Sequence, residues 1–388
     1  MLKEKLDALM KNQIETNTMK GGSLMVIHKG KVIYRGNFGM ADETRNYPVR
    51  NDTIFRLYSM TKPVTAAALM ILYDRGLIDL YDSVCWYLPG FKNQKVLTSE
   101  GEVPVNRDVR IMDLLTMTSG LMYPERGEGP AGIKMAELFD EFNEAAEKGK
   151  PYSTVEMCNK IGEQPLCAQP GEIWNYGTSA DIAGGIIEVV SGKAFGEFLK
   201  DEIFTPLGMV DTDFYVPENK RDRFAEVYIR DEKGKLNICE WQHLGLRDKY
   251  TVPPSFEIGG CGLVSTIDDY AKFAQMLLNK GEYKGVRILS PSAVSRITSD
   301  NLTEGQKKTF NWDSCYGYGY GGFMRVLNNP WEAGAGAKGE YGWDGWTGNY
   351  FCNDPENNLT FLYFIQVGGT NGPRPIRTLK QAVYSEVL

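Results

Sequence analysis

Tyr58-Ser59-Met60-Thr61-Lys62-Pro63, followed by Val64-Thr-Ala-Ala-Ala-Leu-Met-Ile-Leu72, decides how the chain is read. The second run is apolar on nearly every helical face, the pattern of a buried helix. Pro63 is tolerated only in a first helical turn, which predicts Ser59 at the helix start. Residues three apart share a helical face, so the Lys62 amine can reach Ser59 Oγ. A serine hydroxyl is a weak nucleophile until a base takes its proton. A lysine among apolar side chains can give up its charge and act as that base. The helix start adds backbone N–H groups and a positive field, which suit a developing oxyanion. Ser-x-x-Lys arises by chance about once in a chain of this length. The helix-start setting, rather than the motif alone, therefore carries the reading.

Working outward, residues 51–56 read as a polar turn and a short extended run. Residues 23–28 and 31–39 read as two strands around Lys29-Gly30, a hairpin. Residues 2–17 read as a surface helix. On the far side, residues 316–326, 342–353 and 359–367 read as strands, and 375–387 as a helix. The middle is mostly helical, with segments predicted at 109–117, 134–147 (charged and exposed), 153–161, 180–190 and 195–204. Residues 263–280 give a strand end and a helix with Asp268 and Asp269 in its first turn. The expected fold is α/β (α+β), an antiparallel sheet built from both chain ends and flanked by helices. Residues 1–79 with 256–388 would form the sheet lobe and 80–255 a mainly helical lobe, with the active site in the cleft between them.

The totals agree with a soluble enzyme. The 388 residues are 42% hydrophobic and 24% charged, ordinary for a globular chain. A net charge of −7 argues against a nucleic-acid partner. No apolar stretch reaches membrane-spanning length. The N-terminal residues do not read as a secretion signal. Seven scattered cysteines, with no Cys-x-x-Cys, point to reduced thiols and a cytoplasmic protein. Only His28 and His243 are present, and no Gly-x-Ser-x-Gly occurs, which argues against a Ser-His-Asp hydrolase. Two separated histidines also argue against a metal site, and no cofactor is expected.

Two further pieces carry chemistry. Tyr176 sits on a turn after Pro170-Gly171 and before a buried helix. A phenol serves as general acid or base when a nearby cation lowers its pKa, although a lone tyrosine is usually just packed. Trp343-Asp344-Gly345-Trp346-Thr347-Gly348 opens a C-terminal strand, where Gly345 would let substrate lie close and a backbone N–H could complete an oxyanion hole.

In this order, Ser59-Met-Thr-Lys62, Tyr176 after Pro170-Gly171-x-x-Trp174, and Trp343-x-Gly345 resemble the three motifs of the serine β-lactamase and penicillin-binding-protein-like superfamily. Within it the chain is most similar to family VIII carboxylesterases, which resemble class C β-lactamases. The resemblance spans nearly the whole chain, including Asp113-Leu-Leu-Thr-Met-Thr-Ser-Gly-Leu121 and Pro206-Leu-Gly-Met-Val-Asp-Thr212. It implies a β-lactamase-like fold and Ser59 as acylated nucleophile, with Lys62 and Tyr176 as the proton-handling pair. It also implies an oxyanion hole from the N–H groups of Ser59 and Trp346, and substrate contacts from Trp343, Asp344 and Gly345.

The chain departs from the pattern in two places. The third motif carries Asp344 and no cation, where β-lactamases and carboxypeptidases have Lys-Thr-Gly or His-Thr-Gly. The second motif has Thr178 where an asparagine is usual. Both departures point away from β-lactam turnover rather than from acyl transfer. The expected activity is hydrolysis of small-molecule carboxylic esters with short to medium acyl chains. The rival readings are an amide-cleaving or acyl-transferring relative acting on D-amino-acid peptides, and an inactive binding protein of the same fold. Met112, Met117, Met122 and Met135 are candidates for a flexible acyl pocket, or plain core. Asp344, if it faces the cleft, would repel anionic substrates; strand alternation would otherwise turn it away.

Overall fold

The computed structural model describes residues 1–124, 127, 129–240, 250–369 and 372–387; His243 lies outside them. Helix α1 (Leu2–Glu15) leads into β1 (Gly21–His28), β2 (Lys31–Asp42) and β3 (Tyr47–Pro48). Helix α2 (Thr61–Asp74) follows, then α3 (Ser179–Ser191) and α4 (Ile267–Leu278). The C-terminal part supplies β4 (Tyr318–Tyr320), β5 (Arg325–Leu327), β6 (Tyr341–Asp344), β7 (Tyr350–Asp354), β8 (Leu359–Ile365) and helix α5 (Arg374–Val387).

These strands form one eight-stranded sheet in the order β4-β5-β6-β7-β8-β1-β2-β3. The chain ends meet at its centre, where β1 runs antiparallel to β8 with Leu24 opposite Tyr363. Strand β1 is buried along almost its whole length, because both sheet faces are covered. Leu24 and Val26 join the cluster under α1 and α5, whereas Met25 and Ile27 join the larger core around α2 and α4. The β1–β2 turn places Lys29 at φ 50° and Gly30 at φ 73°, the left-handed pair that a tight hairpin requires.

Helix α2 explains itself by composition. Every residue from Thr61 to Leu72 is buried, as a helix apolar on all faces must be. It packs along α3, the other helix whose faces are mostly apolar. The two helix starts thereby converge on the sheet end that carries β6.

Several boundaries differ from expectation. Residues 316–326 are not one strand but the β4–β5 hairpin, bent at Gly321-Gly322-Phe323, with Phe323 at φ 56°. Residues 342–353 likewise split into β6 and β7, because Gly348 N–H donates to the Gly345 carbonyl and closes a turn. The exposed helix expected at 134–147 starts at Pro130 and buries Met135, Leu138, Phe139 and Phe142. Within the mainly helical stretch, strand Tyr228–Arg230 returns to the sheet side and pairs in parallel with Val367–Gly368. Among the described residues no helix is long and apolar enough to cross a membrane.

Candidate active site

Ser59 lies in a single 3-10 turn, Tyr58–Met60, that runs directly into α2. The turn is pinned from several sides. Leu57 N–H donates to the Leu263 carbonyl at 2.9 Å, and Tyr270 Oη donates to the Met60 carbonyl at 2.8 Å. Asn349 Nδ2 donates to the Arg56 carbonyl at 2.6 Å. Tyr58 is held at φ 45°, a left-handed conformation that costs a bulky residue energy and persists only where surroundings enforce it. That conformation turns the chain so that Ser59 reaches the cavity wall while Tyr58 stays buried.

Lys62 is completely buried, and its three donors are matched by three acceptors. Nζ lies 3.2 Å from Ser59 Oγ, 2.7 Å from Tyr123 Oη and 2.8 Å from the Gly260 carbonyl. It also sits 4.5 Å from the centre of the Tyr176 ring, a cation–π distance. Such matching is what makes a buried amine tolerable. Behind it, Gly260 N–H donates to Asp181 Oδ1 at 2.6 Å. A Cβ on Gly260 would fall 2.7 Å from that carboxylate and 3.0 Å from Tyr123 Oη, so any larger residue there would displace these side chains. Burial pushes the Asp181 carboxyl up to about 6, against the pull of Lys62 and the Gly260 N–H.

Tyr176 precedes α3 and faces the same point. Its phenol has Ser59, Lys62 and Trp343 as hydrogen-bonding neighbours, and Trp343 Nε1 donates to it at 3.1 Å. The neighbouring cation does not leave this phenol with a lowered pKa. Burial raises it, and Lys62, Ser59 and Trp343 offset only part of the rise, so Tyr176 rests as a protonated phenol. Burial also holds the Tyr123 phenol well above its usual range, with Asp181 and Tyr176 adding to the rise.

The third motif is arranged differently from its sequence reading. Trp343 is 1% exposed and supports Tyr176 rather than lining the cavity. Gly345 lines the cavity and also makes a close backbone contact, because a Cβ on it would lie 2.3 Å from the Leu57 carbonyl, two residues before Ser59. The β6 end can therefore lie against the nucleophile turn only with glycine there. Trp346 lines the cavity and packs on Tyr58, with ring centres 5.1 Å apart. Asp344 also lines the cavity, and although the motif itself carries no cation, one reaches it from the neighbouring strand. Buried Arg325, on the adjacent strand β5, donates to Asp344 Oδ2 at 2.9 Å. A neutralised carboxylate repels an anion far less than a bare one. Thr178 is fully buried, so its position adds no group to the cavity.

The cavity encloses about 680 Å³ and includes Ser59, Tyr123, Tyr176, Asp344 and Trp346 in its wall. It continues past the Gly345–Gly348 turn to the first turn of α5. No methionine lines it among the described residues. Met117, Met122 and Met135 are buried in the core, the second of the two alternatives left open for them. Aromatic side chains replace them.

The structure brings the sequence candidates Ser59, Lys62 and Tyr176 together. Sequence reasoning missed Tyr123, Asp181, Gly260 and Arg325. Tyr123 lies two residues after the Asp113–Leu121 block, and Gly260 belongs to the pair Gly259-Gly260 beside Cys261. Those were the available signals.

A model of the Beta-lactamase family matches residues 6–385. The chain belongs to this family. It is similar to Protein Rv1367c of Mycobacterium tuberculosis (strain ATCC 25618 / H37Rv), 32% identical over 370 residues, covering 92% of this chain and 88% of that protein. It is also similar to Esterase EstB of Burkholderia gladioli, 27% identical, covering 99% and 95%. Among solved structures, EstCE1, described as a hydrolase with promiscuous acyltransferase activity, superposes with a TM-score of 0.82 over 98% of each chain. At 22% identity that likeness speaks for the fold alone. Family VIII carboxylesterases and penicillin-binding-protein homologues share the same architecture.

Proposed function

We propose that the protein is a serine carboxylesterase that works through an acyl-enzyme on Ser59. The observation that carries this reading is the contact of one buried amine, Lys62, with Ser59 Oγ at 3.2 Å and with Tyr123 Oη at 2.7 Å on the wall of the large cavity. In this reading Lys62 is a neutral amine in the reactive state: Ser59 Oγ, 3.2 Å from Nζ, attacks the ester carbonyl and gives its proton to the amine's lone pair. The oxyanion forms against the N–H groups of Ser59 and Trp346. Tyr176, protonated at rest, gives its proton to the leaving alcohol and regains one from the Lys62 ammonium, and water then resolves the acyl-enzyme by the same transfers in reverse. Similarity to Esterase EstB supports an ester as substrate.

A cavity of 680 Å³ exceeds what a short acyl chain needs, so the substrate carries a sizeable group on at least one side of the ester. Turnover of a p-nitrophenyl ester series by wild type and by Ser59→Ala tests the reading. Hydrolysis should fall to background in the variant. Hydrolysis that survives the substitution contradicts the assignment.

A further inference from the structure

The ester reading does not say what the ester carries, and a short turn beside Tyr176 bears on that. Residues Asp313–Cys315 form a 3-10 turn, with Trp312 immediately before it and Tyr316 immediately after. Cys315 is 1% exposed and anchors the turn in the core. Trp312 and Tyr316 are 41% and 54% exposed, and both line the cavity that holds Ser59. Trp312 is fixed from behind by two edge-on contacts. Its ring centre lies 5.0 Å from Tyr176 at 75° and 5.1 Å from Trp174 at 84°. A single exposed aromatic is ordinary. Two on one five-residue turn, both on the wall of a nucleophile-bearing cavity, form an apolar surface aimed at a ligand.

We propose that the 312–316 turn is an aryl-binding element, and that esters carrying a planar aromatic ring are the preferred substrate class. This rests on the ester reading above. Trp312 touches the phenol that protonates the leaving alcohol, so a ring seated on Trp312 belongs to the alcohol portion, as in a benzyl ester. An aromatic ring gains on an aromatic wall over a saturated ring of similar size, by roughly three- to ten-fold per contact.

Benzyl acetate and cyclohexylmethyl acetate test this, since they differ in ring character but scarcely in leaving-group basicity. Wild type should favour the benzyl ester by roughly ten-fold in kcat/KM, mostly through KM. Trp312→Leu and Tyr316→Leu should each bring the ratio towards one, and Trp312→Phe should restore most of it. Any general harm to Tyr176 affects both esters and cancels in the ratio. A wild-type ratio near one, or a ratio that survives both leucine substitutions, overturns the proposal. If wild type turns over the cyclohexylmethyl ester without aryl preference, the ester reading stands and only this inference falls. If it turns over neither ester, both fall.

Discussion

Lys62 is the residue on which the site balances. It is fully buried, yet each of its donors has an acceptor, and one of those acceptors is the nucleophile. Lys62→Ala and Tyr176→Phe should each reduce kcat/KM by about 100-fold or more, the usual scale for a proton-transfer group. Near-full activity in Lys62→Ala would remove its role. Gly345 makes a second prediction at this scale. A Cβ there would press on the Leu57 carbonyl at 2.3 Å, so Gly345→Ala should cost about 1–3 kcal/mol of stability and lower kcat/KM together. Denaturant unfolding alongside ester kinetics checks both. Ser59 and Lys62 were legible in the sequence because a three-residue spacing is a local fact of helix geometry. Tyr123 was not, since it reaches Lys62 across 61 residues. Arg325 was hidden for a similar reason, because only strand pairing brings it beside Asp344.

At the scale of elements, two buried helices deliver the site. Their starts abut because α2 and α3 pack along one another, and each start carries part of the chemistry. Both helices were legible as apolar runs ended by glycine. The strand ends were less so, because glycine-rich hairpin bends at 321–322 and 345–348 read as continuous strand to a period-two pattern. Asp181, in the first turn of α3, gives the pH prediction. Its carboxyl is raised to about 6, chiefly by burial. The folded state thus holds this proton more tightly than the unfolded chain, and stability from this group falls as pH rises between about 4 and 6. Activity should move the other way. As pH falls through about 6 the carboxylate is lost, and with it the stabilisation of the ammonium that forms when Lys62 takes the Ser59 proton. The kcat/KM profile should show an acid limb near 6 that Asp181→Asn lacks. An unchanged profile in Asp181→Asn would show that the limb has another origin.

Across the whole molecule, the sheet is closed by joining the two ends of the chain, and α5 is fastened over it. Lys380 of α5 pairs with Glu340 at 2.5 Å, both almost wholly buried. Lys380→Met should therefore cost about 3–5 kcal/mol, because it leaves Glu340 buried without its partner. Chemical denaturation measures this, and a change below about 1 kcal/mol would contradict it. The sheet drawn from both ends was readable because β1, β2 and the C-terminal strands carry strand patterns, whereas the strands of the middle, such as Lys95–Thr98 and Tyr228–Arg230, are short. The course and lining of the cavity were not readable. They depend on how β6, the 312–316 turn and α5 meet, and no local pattern encodes that meeting. The central claim is that Ser59 is the acylated nucleophile. Reaction with a fluorophosphonate, followed by peptide mapping by mass spectrometry, tests it most directly. One adduct per chain, on Ser59, with protection by an ester substrate, is the predicted result. Labelling of another serine, or none, would contradict it.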